Sequence, residues 1–248
     1  MTVSVAAVLH SEWLKIRSVR ASYGSLLAVL GVTLALTLLV HAVVGGPDAG
    51  TDPVYGAFQA VNYAQVAALA FGATAVSSEY AHGALRVSLA AVPRRGLLYG
   101  SKVAVVAGAG LLVGTVTGFA TFLVGQGFAG AEDRLGLADT GVVRACLGTG
   151  VYLMLMALLA AGLTFLLRSA VAVLSVLVPF ILIASFVFGA GTDDDGGFAA
   201  YLPDRAGQQV LHQVPGGPLG AWGGVGVLAL WAGSALLAGC VALRRRDA

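Results

Sequence analysis

The sequence predicts an all-α polytopic membrane protein with six transmembrane helices. Two observations support this fold class. The 248 residues are 58% hydrophobic and 10% charged, with a mean hydropathy of +0.89, which excludes an ordinary soluble domain. None of the 14 basic or 12 acidic residues lies in six apolar stretches, each long enough to cross a hydrocarbon core of about 30 Å. These stretches cover residues 21–44, 59–78, 103–124, 145–167, 170–190 and 222–243.

The positions of the basic residues predict the orientation of the chain. With the N-terminus in the cytoplasm, eleven basic residues lie on the cytoplasmic side and three on the outer side. We therefore expect both termini in the cytoplasm and residues 1–248 to form a single transmembrane domain. Twelve arginines against two lysines suggest a GC-rich bacterial genome.

Residues 1–20 are predicted to form an interfacial helix. Their apolar side chains recur at helical spacing and share one face, namely Val5, Val8, Leu9, Trp13 and Ile16. Trp13 is expected to anchor this helix in the headgroup region, with Lys15, Arg17 and Arg20 facing anionic lipid. A disordered polar tail is the alternative.

The longest cytoplasmic connection, residues 79–102, is predicted to contain a short amphipathic helix that ends before Pro93. One face of this helix would carry Ala81, Leu85, Leu89 and Val92, and another face would carry Glu79, His82 and Arg86. The alternative is a second helix that rests on the membrane surface.

Two features inside the spans predict helix packing and bending. Gly110, Gly114 and Gly118 form two consecutive GxxxG repeats, which allow another helix to approach closely, although they do not identify it. Pro179 is expected to kink the fifth span. In the outer loop, residues 191–221, the run of aspartates at 193–195 is interpreted as a solvated acidic turn rather than a cation site.

The sequence contains no motif for catalysis or for nucleotide binding. The phosphate-binding loop requires GxxxxGK followed by Ser or Thr, but the two lysines, Lys15 and Lys102, are followed by Ile16 and Val103. Without acidic residues in the spans, an ion-driven carrier is not favoured. We expect no catalytic, metal or cofactor-binding residues in this chain.

Four segments at the predicted span boundaries point to a known family. They are residues 11–18 (SEWLKIRS), 78–86 (SEYAHGALR), 91–95 (AVPRR, followed by Lys102) and 243–248 (LRRRDA). Together they resemble the permease subunits of type-two ATP-binding cassette exporters, particularly the actinobacterial ones.

This resemblance implies that the six spans form one half of a transmembrane dimer and that a separately encoded ATPase binds ATP and Mg. The N-terminal helix and a coupling helix over residues 79–93 would contact this ATPase. The coupling residues carried over are Glu79, Tyr80, Gly83, Leu85, Arg86, Leu89 and Val92. The apolar stripe with Leu85 would enter an ATPase groove, with Glu79 and Arg86 at its rim.

Two functions are therefore compared. The first is an export permease subunit, with the lipid bilayer, the ATPase and a second permease half as partners and with no nucleic acid. The alternative is a non-transporting membrane scaffold or a sensor partner. Spans without charges favour an apolar or amphipathic cargo, but the substrate and the choice between a homodimer and a heterodimer stay open.

Overall fold

The computed structural model describes residues 4–44, 52–81, 84–92, 94–129, 134–184, 187, 197–216 and 218–245. These residues are helical throughout, joined by turns, and contain no strand, which confirms the all-α prediction. The helices are α1 (Val5–Ser18), α2 (Arg20–Val44), α3 (Pro53–Phe58), α4 (Val61–Ser77), α5 (Ala84–Ala91), α6 (Arg95–Phe128), α7 (Val142–Leu167), α8 (Ala170–Pro179), α9 (Pro203–Gln208) and α10 (Gly220–Arg245).

Helix α7 forms the centre of the bundle. It is apolar on all sides, and 72% of its most apolar window is buried inside the protein, against about 30% for α2, α6 and α10. Helices α4, α6, α8 and α10 pack around it, while α2 lies on α4 and α6. The three less buried helices expose leucine, valine and tryptophan side chains, as expected where lipid or a second subunit covers them.

Four helices are long and apolar enough to cross a membrane: Arg20–Val43, Arg95–Phe128, Val142–Leu167 and Gly220–Arg245. The other two predicted spans correspond to shorter helices. The second is α4 with 17 residues, separated from α3 by a two-residue turn. The fifth consists of the ten residues of α8 followed by a π-helical turn, Phe180–Ala184.

Helix α6 begins earlier than the sequence predicted. Its 34 residues start at Arg95 rather than at residue 103, and they extend over about 51 Å, which is longer than a hydrocarbon core of about 30 Å. The connection between α4 and α6 is correspondingly shorter, and the helix predicted over residues 79–93 is restricted to α5. Glu79 and Tyr80 instead lie in the turn after α4. Gly83, His82 and Pro93 fall outside the described residues.

The loop before α10 folds back onto the bundle. Two short 3-10 turns, Phe198–Tyr201 and Gln209–Leu211, flank α9. A Cβ atom added to Gly207 would lie 2.6 Å from the Tyr152 ring, so α9 packs tightly against α7. The aspartates at 193–195 lie outside the described residues.

Candidate functional site

Four charged side chains meet where α1, α4 and α6 converge. The Lys102 ammonium on α6 lies 2.7 Å from Glu79 Oε1 and also pairs with Glu12 Oε2. The Lys15 ammonium lies 2.8 Å from Glu12 Oε1 and 2.9 Å from Glu79 Oε1. We call Glu12, Lys15, Glu79 and Lys102 the charge cluster.

The charge cluster is buried and electrically neutral. The exposed fractions of Glu12, Glu79 and Lys102 are 1%, 4% and 2%. A buried charge is costly unless opposite charges compensate it, and here two carboxylates and two ammonium groups do so. Lys15 closes the cluster on the solvent side, with 35% of its side chain exposed.

Ser88 connects α5 to the charge cluster. Its hydroxyl donates a hydrogen bond to Glu79 Oε2 at 3.1 Å and accepts one from Lys15 Nζ, also at 3.1 Å. The same side of α5 buries Leu85, and Leu89 packs against the core. The charge cluster and Ser88 therefore join α1, the end of α4, α5 and the start of α6.

The pKa directions show that two members of the cluster stay ionised around neutral pH. Burial would lower the pKa of Lys15, but hydrogen bonds and charge attraction from Glu12 and Glu79 outweigh burial and raise this pKa. Burial would raise the pKa of Glu79, but Lys102 and Lys15 outweigh burial and lower it. Proton uptake or release near pH 7 therefore does not change these two charges.

The exposed face of α5 is not the one that the sequence predicted. Leu85 is only 6% exposed and packs inside this chain, so it is not free to enter a partner's groove. Glu79 is likewise buried in the charge cluster and is not a rim charge. The exposed side of α5 carries Arg86, Val87, Ala90 and Ala91, which we call the α5 outer face. Val92 is half-buried.

Tyr80 lies against the end of α7. Its hydroxyl donates a hydrogen bond to the Phe165 carbonyl at 3.5 Å, and the Arg168 guanidinium lies 5.6 Å from the centre of its ring. Tyr80 therefore ties the turn after α4 to α7.

Helix α1 packs part of its predicted apolar stripe against the protein, whereas the sequence predicted that the stripe lies in the headgroup region. Val8, Glu12 and Ile16 are buried, whereas Trp13 is 40% exposed. Lys15 points into the charge cluster rather than toward lipid, because Glu12 and Glu79 bind its ammonium. Trp13 stays available as an interfacial anchor, and Arg17 and Arg20 are exposed.

The GxxxG glycines of α6 lie against α7. A Cβ atom at Gly114 would lie 3.0 Å from the Gly150 Cα atom, and one at Gly110 would lie 3.3 Å from the Met154 Cα atom. Gly118 approaches the Cys146 carbonyl even more closely. The structure thus identifies the partner helix that the sequence left open.

Pro179 is the last residue of α8, where the α-helix changes to the π-helical turn. The proline nitrogen cannot donate the usual helical hydrogen bond, and a π-turn is one way to rearrange the remaining backbone bonds.

A second set of polar contacts lies at the opposite end of the bundle. Asp52 accepts hydrogen bonds from two backbone amides at the start of α3 and from the backbone amide of Gln213 at 2.7 Å. His212 Nδ1 lies 3.4 Å from Asp52 Oδ2, and its ring stacks on Tyr55 with centroids 4.0 Å apart. Arg144 donates to the Gln213 carbonyl at 2.9 Å. These contacts fasten the loop before α10 to α3 and α7.

A buried polar chain lies on the central helix at the same end. The Tyr152 hydroxyl on α7 donates a hydrogen bond to Gln65 Oε1 on α4 and accepts one from Gln208 Nε2 at 3.2 Å. Asp204 of α9 is 4% exposed. In the part of the chain that the structure describes, no three His, Cys, Asp or Glu side chains lie together as a metal site.

Sequence reasoning missed the charge cluster because it treated each member as a residue at a helix end. One signal was present. The chain has only two lysines and three glutamates, and both lysines and two of the glutamates belong to the cluster. These few residues lie beside separate predicted membrane segments, where a charge that becomes buried needs an opposite charge as its partner.

The apolar bundle defines a multi-pass helical membrane protein. The sequence profile described as ABC-2 family transporter protein matches residues 8–188, which is more than half of the chain. The chain therefore belongs to the ABC-2 transporter family, which confirms the prediction of an ABC-2 type permease. Comparison with curated proteins found no match. Permeases of this family are generally non-catalytic membrane components that normally act with a separate ATPase.

Proposed function

We propose that this chain is the membrane-spanning subunit of an ATP-driven exporter. It forms the translocation path as a dimer and takes its energy from a separately encoded ATPase, which binds ATP and Mg. The chain crosses a bacterial plasma membrane six times, with α4 and α8 as the two short crossings and both termini in the cytoplasm. The family match supports the transport role.

The observation that carries this proposal is the two-sided environment of α5. One side is fixed to the bundle through Leu85 and Ser88. The α5 outer face points away from the bundle, and Val87 is 72% exposed there beside Arg86. The exposed face of this short helix has an apolar centre and a basic edge, and its other face is fixed to the bundle. This arrangement matches a helix that docks in the groove of a partner. We assign this face to the ATPase.

Export then follows from movement of α5. ATP binding draws two ATPase subunits together, and each carries the docked α5 with it. Because α5 is attached to the start of α6 and to the turn after α4, its movement changes how the spans pack. The path at the dimer interface opens outward, and ATP hydrolysis resets it.

Replacing Val87 with Asp tests the docking face. An unpaired carboxylate in a desolvated contact should lower recovery of the ATPase with the tagged permease at least about tenfold. Val214 is the matched control, because it is 78% exposed in the outer loop and should tolerate Asp without loss of ATPase. Equal recovery with wild type and Val87→Asp, at matched membrane levels, would reject the α5 outer face. Failure of the wild type to retain any ATPase would favour the scaffold alternative.

Leu85→Asp has a different expected outcome. Because Leu85 is buried within this chain, the carboxylate should destabilise the permease itself and lower its level in the membrane. Quantitative blots of membrane fractions therefore separate the buried side of α5 from its docking side.

A further inference from the structure

We infer that Ser88, Glu79 and Lys102 are positioning residues that hold α5 in register with α6, so that movement of α5 by a bound ATPase reaches α6. This inference rests on the proposed function. It adds the residues that transmit the movement after docking.

Helix α5 is attached to the charge cluster through one atom, Ser88 Oγ, which donates a hydrogen bond to Glu79 and accepts one from Lys15. Leu85 and Leu89 add apolar contacts, which are not directional and therefore define the register of α5 less sharply than a hydrogen bond does. Ser88 therefore fixes the register of α5 in a way that the leucines do not.

Glu79 is linked to α6 through Lys102. Glu79 Oε1 lies 2.7 Å from Lys102 Nζ, and Lys102 is in the third turn of α6. A displacement of Glu79 that left Lys102 behind would take one of its two carboxylate partners from the buried Lys102 ammonium, and would leave Glu79 with only the partly exposed Lys15 as its cation. The two groups are therefore expected to move together.

Helix α6 extends from Lys102 along α7. This helix continues for 26 residues beyond Lys102 and packs on α7 through the closely approaching Gly114 and Gly118. Close-packed helices transmit a displacement because there is little free space between them. Glu12 also pairs with Lys102, so α1 follows the same movement.

The test uses the purified complex with its ATPase, reconstituted in lipid nanodiscs. Amide hydrogen exchange is measured by mass spectrometry with and without a non-hydrolysable ATP analogue. In wild type, the analogue should change exchange in α5 and also in residues 95–104 of α6. In Ser88→Ala, the change in α5 should persist, while the change in residues 95–104 should fall at least about threefold.

Two further variants separate positioning from general stability. Ser88→Thr keeps the hydroxyl and should behave like wild type. The double variant Glu12→Gln with Lys102→Met removes one carboxylate and one ammonium, so the net charge is unchanged and the Lys15–Glu79 pair remains. It should lose the response of α6 as Ser88→Ala does. If Ser88→Ala releases the ATPase while Ser88→Thr retains it, α5 is misplaced without the hydroxyl, which also supports the inference.

An unchanged response of residues 95–104 in both Ser88→Ala and the double variant would overturn the inference while leaving the proposed function intact. A wild-type permease that retains no ATPase would overturn the proposed function, and the inference with it.

Discussion

At the residue scale, Lys102 is one of three almost fully buried members of the charge cluster. Its ammonium is almost fully removed from solvent and is held by Glu12 and Glu79, which come from two other elements. A buried ammonium of this kind stabilises the fold only while its carboxylate partners are present. Removal of one member is therefore more costly than removal of an opposite pair.

Lys102→Met should accordingly destabilise the permease by about 3–5 kcal/mol, because Glu12 and Glu79 would share the single, half-exposed Lys15. The double variant Glu12→Gln with Lys102→Met should lose clearly less. Heating in detergent, followed by size-exclusion chromatography of the soluble fraction, ranks the three proteins. A double variant no more stable than Lys102→Met would contradict this account of the cluster.

His212 gives a pH dependence to the end of the bundle that contains Asp52. Burial lowers the pKa of His212 below its ordinary 6.5, and attraction to Asp52 compensates only in part. The unfolded chain therefore binds a proton more readily than the folded one, so stability should be full above pH 6.5 and fall as the pH drops through this value. Melting temperatures at pH 7.5 and 5.5 should show this loss in wild type and a smaller loss in His212→Gln. An equal loss in both proteins would assign the effect to other groups.

At the element scale, the contact between α6 and α7 depends on the absence of side chains. Gly114 and Gly150 bring the two backbones together in the middle of the bundle. The periodicity of the glycines was visible in the sequence because it is a local pattern on one helix. The partner was not visible, since it is fixed by how the chain folds back.

Gly114→Leu should therefore force the helices apart and destabilise the permease by about 1–3 kcal/mol. Gly108→Leu is the matched control, because it lies on the same helix and nothing would lie within 4 Å of a Cβ atom there. Thermal unfolding monitored by tryptophan fluorescence should show a lower midpoint for Gly114→Leu alone. Equal midpoints for the two variants would mean that the glycine contact does not hold the bundle together.

The difference between a local pattern on one helix and a contact between helices also explains what the sequence predicted about α5. Helical spacing correctly indicated a short helix with an inner and an outer side. It could not tell which side faced the protein, because both sides carry apolar residues: Leu85 and Leu89 inside, Val87 and Ala90 outside. Glu79 was assigned to the wrong environment because its partner Lys102 is 23 residues away in sequence.

At the scale of the whole molecule, the apolar stretches predicted the helical class and the approximate positions of the spans, because hydrocarbon excludes charges wherever they lie in the chain. Helix lengths were less predictable. The start of α6 at Arg95 places polar residues on a helix that extends past the hydrocarbon, where hydropathy carries no signal. Pairing across elements, as in the charge cluster, needs the tertiary structure.

The structure also groups the loops into two ends, which sharpens a prediction of topology. Arg95 at the start of α6 donates a hydrogen bond to the Leu243 carbonyl near the end of α10 at 2.9 Å, so these two segments share one end. Asp52 and Gln213 share the other end. From the excess of basic residues, we predict that the first end lies in the cytoplasm.

Cysteine labelling in intact cells tests this assignment. In a background with Cys146→Ala and Cys240→Ala, a membrane-impermeant maleimide should label Val214→Cys and leave Val87→Cys unlabelled until the membrane is permeabilised. Both positions are exposed, at 78% and 72%, so access and not burial decides the result. Labelling of Val87→Cys from outside would reverse the orientation, and it would remove the α5 outer face from the reach of a cytoplasmic ATPase.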